Sequence, residues 1–230
     1  MPIQTLDYTA AKIVMKIENQ VEQEYRIKAC AKEPWTIAFI ESIPRGEWFV
    51  DVGANVGPYT LVAISRGVRA LALEPAPANF ARLWENLCLN AFADHALIKC
   101  VAAGPAAAWN WLHFQDTRPG GASHTFGPDL KIHHHRSMVP TETLDALVEP
   151  LAGDMWVKID VDGCELMVLH GATKLLAAER LKGLLIEINR ENEASVLEYV
   201  QQHGWKGVQR FDHRGDSEIG HVVYWLFQRG

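Results

Sequence analysis

From residue 47 onward, short apolar runs alternate with segments whose apolar residues return every three or four positions. EWFVDV (47–52), VRALALE (68–74), ALIKCVA (96–102), MWVKIDVD (155–162) and LKGLLIEIN (181–189) are short and rich in β-branched residues, the pattern of buried strands. Between them PYTLVAISRG (58–67), APANFARLWENLCLNA (76–91), GCELMVLHGATKLLAA (163–178) and ENEASVLEYVQQHG (191–204) carry the helical period. Phe80, Leu83 and Leu87 share one face of the second helix, and Gly67 and Gly204 end two of the four. This alternation predicts an α/β fold of parallel strands joined by right-handed helical crossovers. WKGVQRF (205–211) and HVVYWLFQ (221–228) read as two final strands, paired antiparallel at one edge.

Two regions break the rhythm. In residues 8–43 the apolar Ile13, Val14, Ile17 and Val21 recur at helical spacing, which predicts a mainly helical segment interrupted near Pro34. The division expected is an N-terminal helical cap (1–46) on a main domain (47–230). Residues 104–140 hold PGG, GPD and the alternating WNWLHF, which predict a β-hairpin or long loop inserted before a short helix in VPTETLDALVEPL (139–151). Insertions of this length in compact domains are uncommon and often functional. Within it KIHHHR (131–136) puts only His133 and His135 on one face of a strand. Two such ligands with no nearby Cys or carboxylate make a poor zinc site, so the stretch reads as a solvated loop.

Composition narrows the class. The 230 residues are 48% hydrophobic and 22% charged, ordinary for a globular protein, and the formal net charge is −6. With no long Lys/Arg cluster, nucleic acid is not the expected partner. Four cysteines without CxxC spacing point to free thiols in a reducing compartment. No apolar run reaches membrane-spanning length, and the N-terminus lacks a basic stretch followed by an apolar one. A cytoplasmic location and no membrane partner are expected.

The chemistry concentrates at DVGANVG (51–57), between the first strand and first helix. In an open α/β sheet this turn is the usual ligand site, where glycines allow close backbone approach and the helix offers free N–H groups. Glu74 ends the next strand, 21 positions after Gly53. An acidic residue about 20 positions on is placed to grip ribose hydroxyls, and a carboxylate accepts from both. Dinucleotides and S-adenosylmethionine compete for such a site. The dinucleotide pattern needs a bare glycine where Asn55 stands, and a side chain there crowds a pyrophosphate. Asp51 could face the ammonium of S-adenosylmethionine, so the turn favours that cofactor. The alternative is a turn that only tightens strand–helix packing.

On the fourth strand Lys158, Asp160 and Asp162 share one face. A strand central in a parallel sheet is apolar on both faces, so these charges mark a site. Asp160 is the first candidate for a general base or for the group orienting a hydroxyl; Asp160 and Asp162 could instead cap the next helix. Lys158 reads as an ion-pair partner. Glu187, ending the fifth strand, could pair with Lys158 or join Asp160 in a carboxylate cluster able to take magnesium, though nothing requires the metal. His170, near a helix C-terminus, reads as packing.

DVGANVGPYT, LALEPAPANF, ENLCLN, VPTETLD, WVKIDVDGCELMVLHGA and LLIEIN, in this order over residues 48–189, resemble the FkbM-type methyltransferases. These are S-adenosylmethionine-dependent enzymes, mostly O-methyltransferases of secondary metabolites and sugars. The resemblance implies a Rossmann-like seven-stranded sheet with an antiparallel last strand. It carries cofactor binding onto Asp51, Gly53, Asn55, Gly57, Tyr59 and Thr60, with Glu74, Pro75 and Asn79 around the ribose. Ala102 would lie under the adenine, where no acidic residue stands, and Asp160 near the reacting methyl group. Asp162 stands where the family pattern has Glu, keeping charge with one methylene less reach, and Cys164 replaces a small residue. The expected reaction is in-line methyl transfer to a hydroxyl of a small molecule or sugar, leaving S-adenosylhomocysteine. Asp160, Glu187 and Lys158 are the catalytic candidates. The 105–140 insertion would be a lid or wall of the acceptor pocket, with Trp109, Trp111, Phe114 and Phe126 stacking on substrate or forming the hairpin's own core. A nicotinamide-dependent oxidoreductase and a non-catalytic binding module are the rival readings.

Overall fold

The computed structural model describes residues 2–122, 124–126, 135–212 and 221–230. Its centre is a seven-stranded sheet: β1 (Trp48–Val52), β2 (Arg69–Leu73), β3 (Ala96–Lys99), β4 (Met155–Ile159), β5 (Leu181–Asn189), β6 (Trp205–Asp212) and β7 (Val222–Arg229). The spatial order is β3-β2-β1-β4-β5-β7-β6. Neighbours from β3 through β5 pair in parallel, and β7 pairs antiparallel with both β5 and β6. The two closing strands thus form the expected edge pair, with the later one inserted next to β5.

Alternating residues feed two cores. Val50, Val52, Val157, Ile159 and Ile186 pack on one side with the helices that follow β4 and β5. Phe49, Ala70, Ala72 and Leu185 pack on the other with Leu61, Leu83 and Leu87 from the helices after β1 and β2. Chain direction across the sheet reverses between β1 and β4, and this reversal opens a crevice at their carboxyl ends.

The helices are α1 (Pro34–Glu41), α2 (Pro58–Ser65), α3 (Pro77–Leu89), α4 (Leu144–Val148), α5 (Glu165–His170), α6 (Thr173–Ala177) and α7 (Glu193–Gln202). Pro34, Pro58 and Pro77 each open a helix, where the missing N–H costs nothing. The single helix expected over 163–178 is two. Asp145 starts the second by accepting the N–H groups of Lys174 and Leu175 at 3.0 and 2.8 Å.

The N-terminal segment is helical over most of residues 20–41, broken just before Pro34 as expected, but departs from the helical pattern ahead of that. Ile3–Thr5 and Val14–Lys16 form a two-stranded antiparallel ribbon, followed by a π-helical turn (Glu22–Arg26) and a short helix (Ala29–Lys32). The reason is tertiary. Asn86 and Asn90, one turn apart on α3, act as a neighbouring strand. They accept the N–H groups of Lys16 and Val14 at 2.9 Å, and Asn90 donates to the Val14 carbonyl at 2.7 Å. Weak helical spacing yields to that pairing.

The insertion is a small sheet of Ala102–Ala103, Ala108–Phe114, Thr125–Phe126 and His135–Glu142. Its last strand runs to Glu142, so the helix expected from 139 begins only at α4, capped by Thr143. His133 and the rest of 131–134 lie outside the described residues. Among the described residues no helix is long and apolar enough to cross a membrane.

Candidate active site

The turn after β1 is shaped by three left-handed residues: Gly53, Asn55 and Gly57 have φ of 83°, 52° and 89°. A side chain at Gly53 would strike the Asp160 carbonyl, and one at Gly57 would strike Leu83 of α3. The glycines therefore let the turn lie flat against the end of β4 and against α3. Asn, unlike most residues, tolerates the left-handed region. The Asn55 side chain accepts from the Val56 N–H at 2.9 Å and donates to the Gly121 carbonyl at 2.8 Å. The place where a pyrophosphate would approach is filled.

Glu74, at the end of β2, sits directly behind this turn. Its carboxylate accepts the N–H groups of Asn55 and Ala76, both at 2.8 Å. Burial pushes its pKa up to about 7, against the pull of those hydrogen bonds. Asn79 accepts the Gly120 N–H at 2.8 Å and donates to the Gly121 carbonyl at 3.1 Å, tying the insertion to α3.

A third group surrounds Lys158, which is 1% exposed. Its ammonium lies 2.8 Å from Asp160 and 3.7 Å from Asp51, over the Tyr59 ring. Burial alone would lower the ammonium pKa; Asp160, Asp51 and Glu33 outweigh it and hold Lys158 charged. Burial likewise works to raise Asp160, and Lys158 overcomes it, keeping that carboxylate below its ordinary range. Glu187 is different. Burial, then Asp160 and Glu33, push it well above the carboxylate range, while Tyr224, opposite it on β7, pulls the other way.

These groups line one cavity of about 350 Å³ at the carboxyl ends of the strands. Gly53, Asn55, Tyr59, Glu74, Pro75, Asn79 and Ala102 stand in its wall, as do Lys158, Asp160, Asp162, Cys164 and Glu187. Asp51, Gly57 and Thr60 do not. Asp51 has no exposed surface and lies beneath the turn, accepting from the Thr60 hydroxyl at 2.7 Å. It does not face a ligand ammonium; the β-sheet pleat turns it toward the α2 side, with Lys158.

The family model of the methyltransferase FkbM domain matches residues 51–230. This chain belongs to the FkbM methyltransferase family. It is an S-adenosylmethionine-dependent methyltransferase, and of the two adenosine ligands the turn could take, family membership selects S-adenosylmethionine. The residues present fit that group. Asn55 closes the pyrophosphate approach, Glu74 offers a buried acceptor for a ribose, and carboxylates outnumber cations around a ligand bearing a sulfonium and an ammonium.

No curated protein matches the sequence. Solved structures share the FkbM chain's fold. Magnesium protoporphyrin IX methyltransferase from Synechocystis, with bound S-adenosylmethionine, is similar at TM-score 0.56 and 11% identity, over 94% of this chain and 86% of that one. An rRNA methylase from Streptococcus thermophilus aligns at TM-score 0.53 and 12% identity, over 85% and 94%. Precorrin-6y C5,15-methyltransferase from Geobacter metallireducens aligns at 0.51 and 12%, over 94% and 95%.

Several wall residues of the FkbM enzyme carry no local sequence signal. Tyr25, Arg26, Lys32 and Glu33 reach the cavity from the N-terminal segment, outside the matched region. Leu112, Asp116, Gly121 and His124 reach it from the insertion. The aromatics expected to stack on substrate are elsewhere. Trp109 is 66% exposed, Trp111 lies under the Arg136 guanidinium, and Phe114 packs with Leu112, Val139 and Ala76. Strand alternation explains this: Leu112 and Phe114 point inward, so Trp109 and Trp111 point out. The Phe126 side chain lies outside the described residues. His170 is exposed and packs edge-on against Tyr199, away from the cavity. Among the described residues no three His, Cys, Asp or Glu side chains gather as a metal site.

Proposed function

We propose that this FkbM enzyme methylates a hydroxyl of a small molecule or sugar, with Asp160 as the residue that handles the hydroxyl proton. Bound in the cavity, S-adenosylmethionine supplies an already activated methyl group, so the protein's work is alignment and proton removal. The observation that carries the reading is the ionised Asp160, fixed at 2.8 Å by Lys158, in the cavity wall against the Gly53 turn. Asp160 accepts the acceptor's O–H hydrogen bond and aims an oxygen lone pair. As that oxygen gives up electron density its proton becomes acidic, so even a carboxylate of low pKa suffices to take it. Lys158 keeps Asp160 charged and in position. Glu187, in the same cavity wall, hydrogen-bonds a second hydroxyl of the acceptor.

A cavity whose carboxylates outnumber its cations, on a chain of net charge −6, supports an uncharged polyhydroxyl acceptor over a polyanion such as RNA. The likeness to an rRNA methylase shows the fold alone and does not bear on the acceptor. Glu74, Pro75, Asn79 and Ala102 are assigned to the adenosine, and Asn55, Gly53 and Tyr59 to the rest of the cofactor. No residue set calls for magnesium.

The test is a panel of sugars and hydroxylated metabolites with isotopically methyl-labelled cofactor, reading S-adenosylhomocysteine formation and the labelled product. Label on an acceptor oxygen supports the proposal. Label on nitrogen or carbon, or on RNA in preference to the panel, overturns it. Cofactor binding with no turnover on any acceptor class would favour the binding-module reading.

A further inference from the structure

S-adenosylmethionine ends in an amino acid, whose ammonium needs a hydrogen-bond acceptor and whose carboxylate needs a donor. Asp51, the strand-end acid expected to meet the ammonium, is sealed beneath the turn and spent on Thr60 and Lys158. Asp160 is held at 2.8 Å by Lys158 and is assigned to the acceptor hydroxyl. Glu74, held by the Asn55 and Ala76 N–H groups, is assigned to the ribose.

A further carboxylate of the wall stands beside the turn helix. Glu33 is 3% exposed and lines the cavity. The Thr36 hydroxyl donates to one of its oxygens at 3.1 Å, and the Lys32 ammonium lies 3.5 Å from the other. It sits beside Tyr59 in the first turn of α2, whose phenol its charge helps to raise after burial. The Tyr59 hydroxyl in turn donates to the Ala29 carbonyl at 3.3 Å, fastening this segment to the cofactor turn. Lys32 also lines the cavity and faces Asp160 electrostatically. Of the other cations in the wall, Arg26 is engaged with the Gly120 carbonyl at 2.8 Å and Lys158 with Asp160.

We infer that Glu33 and Lys32 form a clamp for the amino-acid end of the cofactor, Glu33 accepting from its ammonium and Lys32 donating to its carboxylate. This rests on the cofactor reading above. It makes the N-terminal segment, which lies outside the family-matched region, a working part of the cofactor site.

The experiment is calorimetric titration of the full chain with two ligands. S-adenosylhomocysteine carries the amino-acid end; 5′-methylthioadenosine keeps the adenosine and sulfur and lacks it. Glu33→Gln keeps the shape and the Thr36 hydrogen bond while removing the charge. The expected result is about a tenfold or greater loss of S-adenosylhomocysteine affinity, with 5′-methylthioadenosine unchanged within about twofold. Lys32→Gln should act in the same selective way. Equal loss for both ligands would show that Glu33 only shapes the cavity, and no loss for either would show that it touches nothing; both outcomes overturn the inference. A wild-type protein binding neither ligand would instead overturn the cofactor reading and the clamp with it.

Discussion

Glu74 makes the cofactor site sensitive to pH in a direction that can be worked out. In the cofactor-free protein, burial pushes its pKa from the ordinary 4.5 to about 7. A carboxylate accepts from both ribose hydroxyls only when ionised, so binding selects the charged form. At pH 6 roughly a tenth of the molecules carry it and at pH 8 roughly nine tenths, so affinity should rise about tenfold across that interval. Binding near neutrality should also release a proton. The stability linkage runs the other way. A folded pKa above the unfolded one gives stability that is full below about pH 4.5 and lost as pH rises to about 7. For a group this buried the loss is about 3 kcal/mol. Between about pH 6 and 7, where the two windows overlap, the cofactor-free protein is thus predicted to weaken while its ligand affinity improves. Calorimetry with S-adenosylhomocysteine at pH 6, 7 and 8, in buffers of different ionisation enthalpy, reads both affinity and proton release. Glu74→Gln should bind more weakly and with no slope. A flat profile in the wild type, or a slope surviving in the variant, would refute the argument.

Other outcomes follow from the same geometry. Asp160→Asn should lower methyl transfer by about 10²–10⁴-fold while S-adenosylhomocysteine binding stays within a few-fold, as measured by turnover beside calorimetry; retained turnover would remove Asp160 from the chemistry. Arg82→Met should lower the melting temperature by about 10 °C. Arg82 is buried against Glu22, and stranding that acid costs about 3–5 kcal/mol; a shift of a degree or two would show that Glu22 finds water or another partner. Dialysis against EDTA should leave transfer unchanged, and restoration of lost activity by added magnesium would contradict the reading of the wall residues.

The five parallel strands and the helices between them were legible in the sequence because each βα unit is decided locally, by period, glycine and proline. The insertion's strands were legible in part, from the alternation in WNWLHF. The cofactor turn was legible as a motif, yet the individual roles were not. Asp51 reads as a ligand by its place at a strand end, but which face of the pleat it occupies depends on Thr60 and Lys158. The helical stretch and its break before Pro34 were legible, but residues 14–16 form a strand because Asn86 and Asn90, more than 65 positions away, supply partners for Val14 and Lys16. A sequence signal did exist in ENLCLN: two asparagines one turn apart on a helix make a ladder for alternate residues of a strand. Glu33 and Lys32 had no such signal, since a charged pair before a proline is ordinary on a surface.

The absent side chain at Gly53 has one more consequence. With the turn pressed on the Asp160 carbonyl, the platform for the donor and the strand end bearing the proton acceptor share a single seam. Neither half can drift without the other, so their mutual alignment has the tolerance of a van der Waals contact, a few tenths of an ångström. New acceptor preferences in such an enzyme are then expected to come from the inserted sheet, while the seam stays out of reach of change.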